Sequence, residues 1–84
     1  MKLSDLPNIG AHAEELLTKV GITTPEKLCA LGAEQAWLQA RTVDPGACLH
    51  LLYALEGAIQ GIPKSHIALA RKEELRTFFK HESA

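Results

Sequence analysis

With 84 residues the chain is a single domain, residues 1–84, able to bury only about 60–65% of the surface its unfolded form exposes. A composition 46% hydrophobic and 23% charged is too apolar for a disordered chain, and the longest apolar run falls far short of the roughly 20 residues a membrane span requires. A formal net charge of −1 excludes bulk electrostatic attraction to nucleic acid as the organising force, although residues 64–84 carry five cations against three carboxylates, a net of +2.

Strand-favouring residues are scattered while Ala and Leu dominate, so the chain reads as all-α: a compact bundle of about five helices. Lys2 to Asp5 forms at most one turn before Pro7. A first helix runs from about Ala11 to Val20, with Ala13, Leu16, Leu17 and Val20 on one face at the spacing of a core-facing stripe. Gly21 follows as a left-handed C′ residue. Thr24 caps a second helix with Pro25 at its first position and Leu28 and Leu31 on its buried side, and Gly32 ends it.

A third helix spans about Ala33 to Arg41 with Ala36, Trp37 and Ala40 inward, and Thr42 to Gly46 is a loop. The fourth, about Gly46 to Gln60, is apolar nearly all round and therefore central. Gly61-Ile62-Pro63 breaks it. The last helix runs from about Ala68 to Lys80 with Leu75, Phe78 and Phe79 inward. The expected core is Leu16, Leu17, Val20, Leu28, Leu31, Trp37, Leu51, Leu52, Leu55, Ile59, Leu75 and Phe79. Cys29 and Cys48 lie in apolar helical stretches and read as small buried hydrophobes. With no secretory leader at the start, a reducing, cytoplasmic setting is expected.

Gly10, Gly21 and Gly32 lie eleven residues apart in both steps, which suggests two successive helix–hairpin–helix units in a SAM-like arrangement. The string as a whole resembles the C-terminal domain of the TfoX/Sxy family of competence regulators. The residues that carry the resemblance are Leu6-Pro7-Asn8-Ile9-Gly10, then Leu17 through Gly21-Ile22-Thr23-Thr24 to Leu28-Cys29-Ala30-Leu31-Gly32-Ala33, then Leu49 to Gly61 with Tyr53-Ala54-Leu55-Glu56-Gly57-Ala58 at its centre, and Lys72 to Leu75. Together they span about nine-tenths of the chain. Two departures stand out. Where the family commonly has a tryptophan soon after the glycine ending the fourth helix, this chain has Ile62-Pro63-Lys64. The N-terminal α+β domain of many members is not in this sequence, which looks like a free-standing copy of the C-terminal module.

Two stretches carry candidate binding chemistry. In DNA-binding helix–hairpin–helix modules, N–H groups at the start of the second helix hold a phosphate; here the corresponding hairpin is Asn8, Ile9 and Gly10. Asn8 stands where those modules have glycine, and Glu14 and Glu15 follow close behind, so the hairpin reads first as architecture, with Ile9 a core plug and Gly10 the residue that lets the chain bend. Lys72, Arg76 and Lys80 recur every four residues and share one helix face, a stripe that could track a phosphate backbone, flanked by Glu73 and Glu74; a solvated helix surface is the plain alternative.

Gly21, Gly32 and Glu56 read as structural. Glu56, inside the most apolar helix, must reach solvent or a cation, and Arg71 and Lys72 are the expected partners. The four histidines and two cysteines show no metal-ligand spacing. No nucleophile elbow, phosphate loop or dinucleotide fingerprint appears, so no metal, no cofactor and no enzymatic activity are expected. The resemblance implies a protein-interaction module in transcriptional or competence control, with a protein partner or a homodimer; the alternative is weak, sequence-independent DNA binding through the hairpin and the basic stripe.

Overall fold

Five α-helices and two single 3-10 turns account for about seven-tenths of the residues in a computed structural model that describes residues 1–83. The helices are α1 (Ala11–Lys19), α2 (Pro25–Leu31), α3 (Ala33–Arg41), α4 (Leu49–Gln60) and α5 (Leu69–Ser83), with 3-10 turns at Leu3–Asp5 and Lys64–His66. No strand occurs among the described residues. Among them, too, no helix is long and apolar enough to cross a membrane.

Each helix boundary has a local cause. Gly21, at φ +85°, closes α1: the Ile22 amide donates to the Leu17 carbonyl (3.0 Å) and the Gly21 amide to that of Thr18 (3.1 Å), a Schellman closure that drives Ile22 into the core. Thr24 caps α2 by accepting from the Lys27 amide at 3.1 Å, and Pro25 takes its first position. Gly32, at φ +83°, ends α2 and starts α3 in one residue. Asp44 bends the next loop by accepting from the Gly46 amide (3.1 Å), and the Ala47 amide donates back to the Asp44 carbonyl (2.9 Å). This turn holds residues 44–47 out of helix, so α4 begins at Leu49 rather than Gly46, with Cys48 as its extended N-cap.

The centre is α4, which packs against α2, α3, α5 and the Lys64–His66 turn. Leu17, Leu28, Trp37, Leu52, Leu55 and Leu75 are fully enclosed; each such leucine stabilises the fold by about 1.5–3 kcal/mol relative to an exposed one. Val20, Leu31, Leu51, Ile59 and Phe79, expected inside, are half-buried and pack on this centre. Leu3, Ile22 and Ile67, outside the expected core, are buried. Trp37 joins three helices: its indole N–H donates to the Cys48 carbonyl (3.1 Å), and its ring meets Phe78 and Phe79 edge-on at 6.0 and 5.6 Å.

Two further expectations are corrected. Helix α5 runs past Lys80 to Ser83 because Arg41 on α3 donates to the Glu82 carbonyl (2.9 Å) and pairs with its carboxylate (3.2 Å), tying down a turn that would otherwise fray. Cys29 and Cys48 are exposed, not buried. Cys29 stands about 100° around the short α2 from Leu28, and α2 turns only Pro25 and Leu28 fully inward. Cys48 precedes the first turn of α4.

Candidate functional site

The hairpin residues form a clamp. Asn8 carries the left-handed conformation, φ +70°, whereas Gly10 is extended, so the bend expected at Gly10 is made two residues earlier. The Asn8 amide donates from Nδ2 to the Ile62 carbonyl and accepts at Oδ1 from the Lys64 amide, both at 3.0 Å. One side chain thus bridges the chain start to the linker between α4 and α5. Gly57 makes the approach feasible: a Cβ there would land on the Asn8 side chain and 2.8 Å from the Ile62 carbonyl oxygen. Ile9 is 4% exposed and belongs to the core. Glu14, in the first turn of α1, reaches back to accept from the Ser4 amide at 3.0 Å. Of the three hairpin residues only Gly10 is open to solvent.

Arg71 gathers acids from three helices. Its guanidinium meets Glu34 of α3 (2.8 Å), Glu56 of α4 (2.9 Å) and Glu74 of α5 (3.2 Å). The second Glu56 oxygen accepts from the Gln60 side-chain amide. These bonds, with Glu34 the largest cause and Glu56 next, hold the Arg71 guanidinium above its ordinary value, and the Arg71 hydrogen bond in turn lowers the Glu34 carboxyl. Glu56 is therefore a buried carboxylate satisfied on both oxygens. Of its two expected partners Arg71 makes the contact, and Lys72 instead lies over the Tyr53 ring, 5.9 Å from its centroid.

The outside of α5 has two flanks of different chemistry. On one, Leu69, Lys72, Arg76 and Lys80 follow one another at helical spacing. Leu69 is 70% exposed, unusual for a leucine in so small a domain. The Tyr53 hydroxyl, ahead of Glu73, keeps the Arg76 guanidinium above its ordinary value. On the other flank a shallow apolar depression is lined by Phe78 and rimmed by Glu73, Glu74, Thr77 and His81. A second, smaller one lies between α1 and the start of α4, lined by Leu16, Ala47, Cys48 and Leu51 among others. No group of three His, Cys, Asp or Glu among the described residues is placed to hold a metal ion.

Sequence reasoning found the basic stripe but not its surroundings. Leu69 lies three residues before Lys72, so a helical projection of α5 would have added it. Phe78, expected inward, is half-buried, one edge on Trp37 and the other in the depression. The closeness of Lys64 to Asn8 had no signal in the sequence, because it is a contact across 56 positions.

The fold and these surfaces define a small all-helical domain with a satisfied interior and a chemically divided last helix. The chain belongs to the family described as the TfoX C-terminal domain, which it matches over residues 1–79. It is 40% identical over 74 residues to Protein Sxy of Escherichia coli strain K12, covering 88% of this chain and 35% of that protein. It is 36% identical over 74 residues to the DNA transformation protein TfoX of Haemophilus influenzae, covering 88% of this chain and 34% of that one. The chain thus spans about a third of the length of these two relatives.

A triclinic crystal structure of an uncharacterized protein from Listeria monocytogenes superimposes with a TM-score of 0.99 at 42% identity, covering 100% of this chain and 96% of that one. A tetragonal crystal structure of a protein of unknown function from the same species gives 0.92 at 44% identity, covering 94% and 96%.

Proposed function

We propose that this domain is a non-enzymatic interaction module that acts in cytoplasmic, competence-type transcriptional control by docking a protein partner on the acidic flank of α5. The observation that carries this reading is the shallow, open hollow on the outer face of α5, where the exposed edge of Phe78 lies among Glu73, Glu74, Thr77 and His81. That chemistry suits a partner segment presenting one large apolar side chain next to a lysine or arginine, an anchor in a pocket with a charged rim. The satisfied polar interior supports it too, since Glu56, Asn8 and Arg71 are all engaged within the fold. The Haemophilus influenzae relative, a DNA transformation protein, points to the regulatory setting.

The test is genetic and structural together. Deleting the chain from its own cell should change transcript levels of DNA-uptake genes. A copy carrying Glu74→Lys and Thr77→Arg, which reverses the rim and plugs the depression, should fail to restore them although circular dichroism shows it folded. A Lys19→Ala copy should restore them. Full restoration by the Glu74→Lys/Thr77→Arg copy would remove this reading.

A further inference from the structure

We infer that the opposite flank of α5 is a phosphate-binding surface for duplex nucleic acid, built from Lys72, Arg76 and Lys80, with Tyr53 as its floor and Lys64 as its extension. This goes beyond the protein-docking reading and rests on different residues.

Charge segregation is the first ground. The fold places Arg71 among Glu34, Glu56 and Glu74, so three carboxylates share one cation on that flank of α5. Lys72, one position on, faces the other way. Among the described residues Lys64, Lys72 and Lys80 have no carboxylate partner, and the Arg76–Glu73 pair is long, 3.7 Å, and exposed, a kind of contact worth little. A chain of net charge −1 therefore still presents a locally positive strip.

Geometry is the second. Four residues of helix rise about 6 Å, so Lys72, Arg76 and Lys80 offer cations at intervals of about 6 Å, against one phosphate per about 3.4 Å along each strand of a duplex. Tyr53 sits beneath Lys72, whose ammonium lies 5.9 Å from the ring centroid. Gly57 lies one turn along α4 from Tyr53 on the same face, and the Asn8 clamp seats the Lys64 backbone against it. The clamp thereby holds the Lys64 backbone on the face of α4 that carries Tyr53. What the sequence suggested as two separate features, a hairpin and a basic helix face, the fold draws to one side of α4. In that arrangement the Asn8 side chain positions Lys64 and leaves phosphate contact to the cations.

The experiment is fluorescence anisotropy of a labelled duplex of about 20 base pairs with the full chain, from about 20 to about 300 mM salt. Binding should be weak and should fall with a log–log salt slope of about −3.6, as about four neutralised phosphates require. Lys72→Glu with Arg76→Glu should lower affinity more than tenfold and flatten the slope by about 2, and Lys64→Ala should flatten it by about 1. Charge reversal at Lys19 and Lys27, on α1 and α2, should leave both unchanged. If the Lys72→Glu chain loses its fold, Arg76→Glu with Lys80→Glu, both at exposed positions, gives the same readout. The inference is overturned by no anisotropy change at about 20 mM salt, by equal weakening from the Lys19 and Lys27 reversals, or by tighter binding to phosphatidylglycerol vesicles than to the duplex.

Discussion

Arg71 on α5 holds the buried Glu56 of α4 at 2.9 Å, and that contact fixes how the last helix sits on the central one. Glu56 is almost enclosed, so removing its cation strands a desolvated carboxylate rather than merely losing a surface pair. Arg71→Met is expected to cost about 2–4 kcal/mol in urea unfolding. Glu56→Gln should cost about 1 kcal/mol, since the neutral amide keeps a hydrogen bond and carries no charge to strand. Arg71→Lys should fall between them, because one ammonium cannot serve three carboxylates at the angles a guanidinium spans.

The same cluster sets an acid limit. The Arg71 hydrogen bond lowers the Glu34 carboxyl below its ordinary 4.5. A group depressed in the folded state adds stability that is fully present above the unfolded value and is lost as pH falls through the folded one. Wild type should therefore be more stable than Glu34→Gln at neutral pH, and the gap should close as pH drops below 4.5. Thermal melts of the two chains across that range check the sign; a gap that widens toward acid would contradict it.

The helices were legible because their signals are local. Gly21, Gly32, Thr24 and Pro25 mark ends through their own backbone demands, and Leu52, Leu55 and Leu75 declare a buried face by spacing alone. Glu56 announced a need for a cation, since an apolar helix cannot hold a carboxylate otherwise. The choice between Arg71 and Lys72 depended on the rotation of α5 about its axis, which packing of Phe78 and Phe79 against Trp37 helps set and sequence spacing does not. The backbone of the hairpin was legible too, since Asn8 takes the left-handed conformation where such modules have glycine. The bonds of its side chain to the Ile62–Lys64 linker were not, because they cross 54 and 56 positions.

That long-range role makes Asn8 and Gly57 a coupled pair. Asn8→Ala removes two hydrogen bonds and puts a Cβ-only side chain in left-handed backbone, so about 2–3 kcal/mol should be lost. Asn8→Gly keeps the backbone freedom and should lose about 1 kcal/mol less. Gly57→Ala drives a methyl group into the Asn8 side chain and the Ile62 carbonyl, an overpacking expected to cost about 1–3 kcal/mol. The double substitution should cost less than the sum of the two, because Asn8→Ala clears part of the space the methyl needs. Full additivity in denaturant unfolding would mean that the two residues do not share this contact.

The cysteines give the sharpest separation of pattern from packing. Cys29 follows Leu28 in an apolar string, and Cys48 precedes Leu49, so both read as interior; both side chains instead meet solvent. Native protein should therefore react with a thiol reagent such as Ellman's to about two equivalents per chain, without denaturant and without a lag for unfolding. Serine at either position should lower the count by about one, and at Cys29 it should leave stability within about 0.5 kcal/mol, the range for exposed sites. Cys48 has one added consequence. As N-cap of α4 it leaves that helix start without a side-chain acceptor, and a hydroxyl there supplies one. Cys48→Ser should raise stability by a few tenths of a kcal/mol to about 1 kcal/mol, and Cys48→Ala should not.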